Sequence, residues 1–329
     1  MPSSPSLPAR IAVSACLTVG LAAAIELLVR IARPDVFPIG TDSGLFDPRR
    51  FGDTPGWRPQ ARGTSFGIEV QIDPRGCRAL PPPRGPVTTR WLVLGDSVTF
   101  GVGVEADQTF AARLQASRAG LEVLDTAVIG YGAGNYGPVL EGFLREQPDL
   151  DQVLLFLTLN DVAWDLTADD VLRQGRGDLP PTVRVRDWLG EHVRTYQLLK
   201  GTFADRSLHH HRRDAAWYMA GDEHFERMVR LVGELAATVG RAGLPLRVFA
   251  LPHEAQLRVE GDGDPQDLLV AHLARNGVAA ESLVGPLRAA AGGDSRSFYL
   301  FSDSMHFTPR GHAAVAEAVI ASLGRAREP

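Results

Sequence analysis

From Arg90 onward, short apolar runs alternate with helix-compatible segments, and this alternation restricts the fold more than any other feature of the chain. Trp91-Leu92-Val93-Leu94 is an uninterrupted apolar run. Residues 121–129 and 246–251 are also strand-like, and 152–159 reads as a fully buried strand. Between and after them, 110–119, 138–147, 225–240 and 265–276 read as helices. In 225–240, Met228, Val229, Leu231, Val232 and Leu235 recur at helical spacing. A closing helix over 309–323 opens on Pro309, where the missing N–H costs nothing at the first helical position. Strands alternating with helices predict a parallel sheet covered by helices on both faces. Residues 162–220 break this rhythm and read as an insertion.

The chain has 329 residues, 44% of them hydrophobic, which is enough for one large α/β domain with added segments. A net charge of −5 leaves no basic surplus, so a nucleic-acid partner is not expected. Cys16 and Cys77 form no C-x-x-C, which excludes a zinc ribbon or dithiol motif. One lies in an apolar N-terminal run and the other in a later loop-rich segment, so two free thiols are expected.

Residues 11–29 are apolar apart from Ser14, Thr18 and Glu26. At 1.5 Å per residue they make a helix of roughly 28 Å, about one hydrocarbon core. Three readings compete for residues 1–34: an uncleaved membrane anchor, a cleaved signal peptide and a buried amphipathic helix. Ala22, Ala23 and Ala24 would suit cleavage, but the apolar pattern runs on through Ile25, Leu27, Leu28 and Val29, which favours an anchor. Val13-Ser14-Ala15-Cys16 has the form of a lipoprotein box, yet too few apolar residues precede it. Arginines are more numerous after the helix than before it, which alone would keep the main domain in the cytoplasm. The signal-like form of the N-terminus argues for the opposite side. Residues 35–89, rich in Gly, Pro and Arg, read as a linker with short strands, one of them the alternating stretch 66–73. Residues 90–329 form the main domain.

Four places in that domain carry residues suited to chemistry. Gly95-Asp96-Ser97 follows the first strand, at the sheet end where open α/β folds bind ligands. By itself it is better read as a turn with Ser97 capping a helix. Gly130 ends the next strand, where glycine permits close approach and a free N–H, or simply a turn. Asn160 ends the third, where its amide could face a developing oxyanion or form an Asx-turn. Asp303-Ser304-Met305-His306 precedes the closing helix, and its spacing lets Asp303 bond Nδ1–H of His306 while Nε2 faces outward. The alternatives there are an Asp helix cap and a surface histidine; no third ligand suggests a metal site.

Taken in order, Gly95-Asp96-Ser97, Gly130, Asn160 and Asp303-x-x-His306 resemble the four sequence blocks of the SGNH/GDSL hydrolases over residues 90–325. The resemblance implies a flavodoxin-like three-layer α/β/α sandwich and hydrolysis or transfer of ester-linked acyl groups. It implies Ser97 as nucleophile, His306 as base and Asp303 as its orienter. Ser97, Gly130 and Asn160 would form the oxyanion hole. The third block departs from the usual Gly-x-Asn-Asp, reading Thr158-Leu159-Asn160-Asp161, and the second opens on Asp125 where Asn is common. The apolar N-terminus and the element Pro74-Arg75-Gly76-Cys77-Arg78 are similar to membrane-tethered bacterial members, with Cys77 in place of an aromatic.

The expected reaction is hydrolysis of carboxylic esters, O-acetyl esters among them, through an acyl-serine, with no cofactor and no metal. The substrate would be a small-molecule or carbohydrate ester. The alternatives are an O-acyltransferase acting on envelope polysaccharide and a non-catalytic, membrane-anchored binding protein. The membrane is the expected partner of residues 11–29, with the catalytic domain on the extracytoplasmic face; the oligomeric state is open. The insertion would wall the substrate site with Trp164, Trp188, Tyr196 and Trp217, most of them packing residues, and its His209-His210-His211-Arg212-Arg213 run reads as a solvated loop. His253, just past a strand end, is a candidate substrate contact, though a core or surface residue is the more ordinary reading of it.

Overall fold

The computed structural model describes residues 6–325 except 148, 177, 179, 204–205 and 259–264. A long helix, α1 (Leu7–Ala32), comes first. Two antiparallel hairpins follow, β1 (Phe46–Phe51) with β2 (Thr54–Trp57) and β3 (Arg62–Ser65) with β4 (Ile68–Gln71). Then β5 (Thr89–Leu94), β6 (Leu121–Asp125), β7 (Gln152–Leu157), β8 (Leu246–Ala250) and β9 (Ala280–Ser282) form one parallel sheet in the order β6-β5-β7-β8-β9. Counted by chain position this is 2-1-3-4-5, the flavodoxin-like winding, and the chain reverses direction between β5 and β7.

The helices of the sheet are α2 (Ser97–Phe100), α3 (Phe110–Ser117) and α4 (Ala133–Glu146). The insertion adds α5 (Ala168–Arg176), α6 (Pro181–His192), α7 (Arg194–Phe203) and α8 (Arg206–Ala215). The chain returns to the sheet through α9 (Glu223–Arg241) and continues with α10 (Glu254–Arg258), α11 (Pro265–Arg275), α12 (Val284–Ala291) and α13 (Pro309–Arg325).

The side-chain alternation of the strands divides the core in two. Leu92, Leu94, Leu124, Val153, Leu155 and Val248 pack with α4, α9 and α11 on one face. Trp91, Val93, Val123, Leu154, Phe156 and Phe249 pack with α3, α12 and α13 on the other. Both faces are apolar, so β5 and β7 read as continuous hydrophobic runs.

Residues 35–89 do more than link. Trp57 is 1% exposed, lies between Phe46 and Phe100 with ring centroids 4.7 Å from each, and donates from Nε1 to the Ala127 carbonyl at 2.8 Å. Leu45, Val70, Ile72 and Cys77 join the same core. Glycines and prolines space these residues too irregularly for any periodicity to reveal them. The strand expected over 66–73 begins instead with a turn. Phe66 (φ 50°) and Gly67 (φ 75°) are both left-handed, as a two-residue hairpin loop requires, and β4 starts after them. Arg78 is buried and donates to the carbonyls of Phe100, Gly101 and Val104, tying this lead-in to the loop behind α2. The helix expected from Pro138 starts at Ala133, where Asn135 Oδ1 accepts from Gly132 N.

Helix α1 is long and apolar enough to cross a membrane, with a mean hydropathy of 2.2 over its most apolar window, none of it buried. Its last turns dock on the insertion. Glu26 accepts from Arg194 N, Thr195 N and Thr195 Oγ1 at 2.9, 2.9 and 2.8 Å, and Arg30 donates to the His192 carbonyl at 2.8 Å. Cys16 is exposed and Cys77 buried, both as free thiols.

Candidate active site

Strand β5 ends at Gly95, where a Cβ would collide with the Thr99 side chain, so only glycine lets the chain turn this tightly into α2. Asp96 caps α2, its Oδ1 accepting from Val98 N at 2.9 Å. This puts Ser97 on the first turn at the carboxyl end of the sheet. The other two polar groups come from the loop before α13. That loop is closed by Leu300 N to His306 O and Asp303 N to Leu300 O, both 2.9 Å.

The structure brings Ser97, His306 and Asp303 into one line. Ser97 Oγ lies 2.8 Å from His306 Nε2, and His306 Nδ1 lies 2.8 Å from Asp303 Oδ2. Asp303 Oδ1 accepts from the N–H groups of Met305 and His306 at 2.9 and 3.0 Å, so the carboxylate cannot swing away. With Nδ1–H donating to Asp303, Nε2 carries the lone pair and accepts from the Ser97 hydroxyl. Burial favours the neutral imidazole, but the charge and hydrogen bond of Asp303, with Asp96 behind, more than offset it and raise the His306 pKa. Burial likewise opposes the Asp303 charge, and the His306 interactions with the two backbone donors hold its carboxyl well below the usual range. The Phe66 ring meets the His306 ring at 5.5 Å, edge to face, so the hairpin of the lead-in packs against this imidazole.

Gly130 and Asn160 sit at the carboxyl ends of the neighbouring strands. Gly130 has φ 88°, a left-handed backbone that favours glycine. Neither its N–H nor that of Ser97 has a protein partner among the described residues. Asn160 lies on a 3-10 turn, Leu159–Val162, directly after β7.

Thr158, which stands where the SGNH pattern has glycine, joins the blocks together. It is buried, and its Oγ1 lies 2.6 Å from Asn160 Oδ1, 2.9 Å from Asp96 Oδ2 and 3.0 Å from Asp161 Oδ1. One hydroxyl proton cannot serve three acceptors. Burial and the charge of Asp96 push the Asp161 carboxyl up, and a proton kept there lets Asp161 donate to Thr158. Asp161 Oδ2 meanwhile accepts from Tyr136 OH and Thr158 N at 2.8 and 3.0 Å. The Thr158 proton is then shared by Asp96 and Asn160. Because Asn160 Oδ1 faces that hydroxyl, its Nδ2 is left without a partner among the described residues. The threonine side chain therefore points into this network.

His253 takes the core position that was the alternative to a substrate contact. It is completely buried, neither ring nitrogen has a hydrogen-bond partner among the described residues, and burial next to His211 pushes its pKa down to about 3. The loop carrying Asp303 and His306 covers this strand end. Glu254 N donates to Ser304 O at 2.8 Å, and Tyr299 OH donates to Pro252 O at 2.9 Å. His253 is thus packed in the core of this structure. The histidine run expected as a solvated loop lies on α8, and His210 Nδ1 sits 3.0 Å from Ser304 Oγ. Of the insertion aromatics, Trp217 packs on His224 with centroids 4.4 Å apart, Tyr196 is half-buried, and Trp164 and Trp188 are exposed. A cavity of about 1070 Å³ lies beside Asp303, with Phe66, Ile68, Phe203 and Arg206 among its walls. Ser97 and His306 do not line it, so it flanks the acid end of the line. Among the described residues no group of three or more His, Cys, Asp or Glu side chains could hold a metal ion.

A family model described as the GDSL-like lipase/acylhydrolase family matches residues 93–314. No curated protein matches in sequence. Solved structures similar to this chain include LAE5, an alpha/beta hydrolase enzyme from the metagenome of Lake Arreo in Spain, at 15% identity and TM-score 0.44, covering 73% of this chain and 96% of that one. A member of the lipolytic G-D-S-L family from Veillonella parvula has 14% identity and TM-score 0.43, covering 72% and 100%. The psychrotrophic esterase EstA from Pseudoalteromonas sp. has 11% identity and TM-score 0.41, covering 72% and 98%.

Proposed function

We propose an acyl-serine mechanism for this chain, which belongs to the GDSL-like lipase/acylhydrolase family and is an ester-hydrolysing enzyme. The observation that carries the proposal is the unbroken line from Ser97 Oγ through His306 to Asp303, two contacts of 2.8 Å each. His306 Nε2 takes the hydroxyl proton as Oγ attacks the ester carbonyl. Asp303 keeps the ring in the required tautomer and stabilises the imidazolium. The oxyanion is received by the free N–H groups of Ser97 and Gly130 and by Asn160 Nδ2, each such donor being worth about 3 kcal/mol. His306 then returns the proton to the leaving alcohol. Water, activated by the same imidazole, cleaves the acyl-serine and releases the acid. A sugar hydroxyl in place of that water would give acyl transfer with the same residues.

The test is labelling of the folded protein by a fluorophosphonate together with turnover of acetyl through long-chain esters and of acetylated polysaccharide. Wild type is expected to label and turn over. Ser97→Ala is expected to lose the label and about 10⁴-fold or more in kcat. A folded wild type that neither labels nor turns over any ester would overturn the acyl-serine reading. Preference for long chains would remove deacetylation of polysaccharide.

We also propose that α1 stays on the chain as a membrane anchor with the catalytic domain on the extracytoplasmic face. The bonds of Glu26 and Arg30 to the insertion support retention, since cleavage would leave the first N–H groups of α7 without their carboxylate. Mass analysis of the membrane-bound protein and its protease sensitivity in intact cells test both points. A processed N-terminus or complete protection would refute them in turn.

A further inference from the structure

We infer that the exposed apolar face of α6 and α7 rests in the interfacial layer of the same membrane that α1 crosses. This rests on α1 remaining as the anchor. Glu26 belongs to the apolar run of α1, and its carboxylate receives the first N–H groups of α7. Six residues at 1.5 Å separate Glu26 from the end of α1, so α7 begins only about 9 Å below that end. A helix starting there is level with the boundary between hydrocarbon and headgroups.

The side chains fit that boundary. On α7, Leu199 and Phe203 are one turn apart and 53% and 83% exposed. On α6, Val185 and Trp188 are 59% and 55% exposed, also on one face. A phenylalanine left in water forgoes the favourable free energy of burying its ring. Trp188 stacks on His192 at 5.2 Å with the rings 13° apart, an amphipathic pair of the kind enriched at membrane surfaces. Lys200 lies over the Tyr196 ring at 5.6 Å. The two helices carry four cationic side chains, Arg184, Arg186, Arg194 and Lys200, against two carboxylates, Asp187 and Glu191. That surplus complements anionic lipid headgroups. Phe203 also lines the large cavity beside Asp303, so the cavity wall continues onto this surface.

The experiment uses the full chain reconstituted in phosphatidylglycerol-containing vesicles, with an environment-sensitive fluorophore on one exposed cysteine at a time, Cys77 being buried. Native Cys16 reports α1. In a Cys16→Ser background, Leu199→Cys and Phe203→Cys report α7, and Arg241→Cys, exposed at the end of α9, is the aqueous control. The labels at 199 and 203 are expected to shift to the blue and to be quenched several-fold more than the label at 241 by lipids with shallow nitroxides. If Cys16 is quenched while 199 and 203 behave like 241, the surface stands off the membrane although the anchor holds, and the inference fails alone. If Cys16 is also unquenched, the anchor reading fails with it. Blue-shifted labels at 199 and 203 that no lipid quencher reaches would assign the surface to a protein contact instead.

Discussion

Replacing Thr158 by valine removes one hydroxyl and keeps the volume. In the native structure that hydroxyl lies 2.6 Å from the carbonyl oxygen of the Asn160 amide and touches both Asp96 and Asp161. Its loss leaves the amide free to rotate, so, if Asn160 is an oxyanion donor as proposed, Nδ2 no longer points consistently at that charge. Complete loss of such a donor costs about 10²–10³-fold in kcat. A donor that is present but unoriented is expected to lose part of this, about 10–100-fold, with KM within about twofold, because the donor acts on the transition state. Stability falls as well, by about 1–3 kcal/mol, since buried carboxyl oxygens lose a partner. The assay is kcat and KM on a chromogenic ester with folding checked by denaturant titration. Thr158→Ser restores the hydroxyl and is expected to restore kcat. Asn160→Ala sets the ceiling of the effect. The double variant is expected to be no slower than Asn160→Ala, because both changes act through one amide. Undiminished kcat in Thr158→Val, or fully additive losses in the double variant, would refute the reasoning.

The raised pKa of His306 means that activity rises with pH through a value above the ordinary imidazole range, because only neutral His306 can accept the Ser97 proton. The same group stabilises the fold fully below its unfolded pKa and loses that contribution as pH rises through the folded value, so stability and activity should slope in opposite directions there. Asp303→Asn should lower the activity pKa and kcat together, the latter by about 10³–10⁴-fold, as a pH–rate profile would reveal. Asp125 is buried, and its carboxyl is pushed up to about 7 by burial against the pull of Arg78. The native state therefore holds a proton that the unfolded chain releases at lower pH, and wild type should lose stability from about pH 4 to 7, by about 4 kcal/mol at most. Asp125→Asn should flatten that slope in denaturant melts, and an unchanged slope would clear Asp125. His253→Leu replaces a buried ring that has no hydrogen-bond partner among the described residues. It should leave KM unchanged and stability equal or higher, and a raised KM would return His253 to the substrate site.

The layers of the fold were legible because their signals are local. The runs at Trp91-Leu92-Val93-Leu94 and 152–159 are apolar on both faces since both faces of β5 and β7 are covered. Pro309 opens α13, as its fixed φ favours. The hairpins of 35–89 were less visible, because Trp57, Val70 and Ile72 are buried by packing against the sheet and not by any regular spacing. The polar insertion helices were missed for the opposite reason, since few of their faces are buried and no apolar period marks them.

Sequence by itself determined the alternation that closes a parallel sheet, the turn chemistry at each strand end, and an N-terminal helix of membrane-spanning length. Each depends on residues within a few positions of one another. Tertiary structure alone decided where side chains meet. Ser97 and His306 are 209 positions apart, and their 2.8 Å contact depends on strand register and on how the last loop folds over β8. The same loop buries His253, and packing turns the Thr158 hydroxyl toward Asn160 and joins α1 to α7 through Glu26. Such contacts follow from the rigid packing of whole elements, which no local pattern encodes.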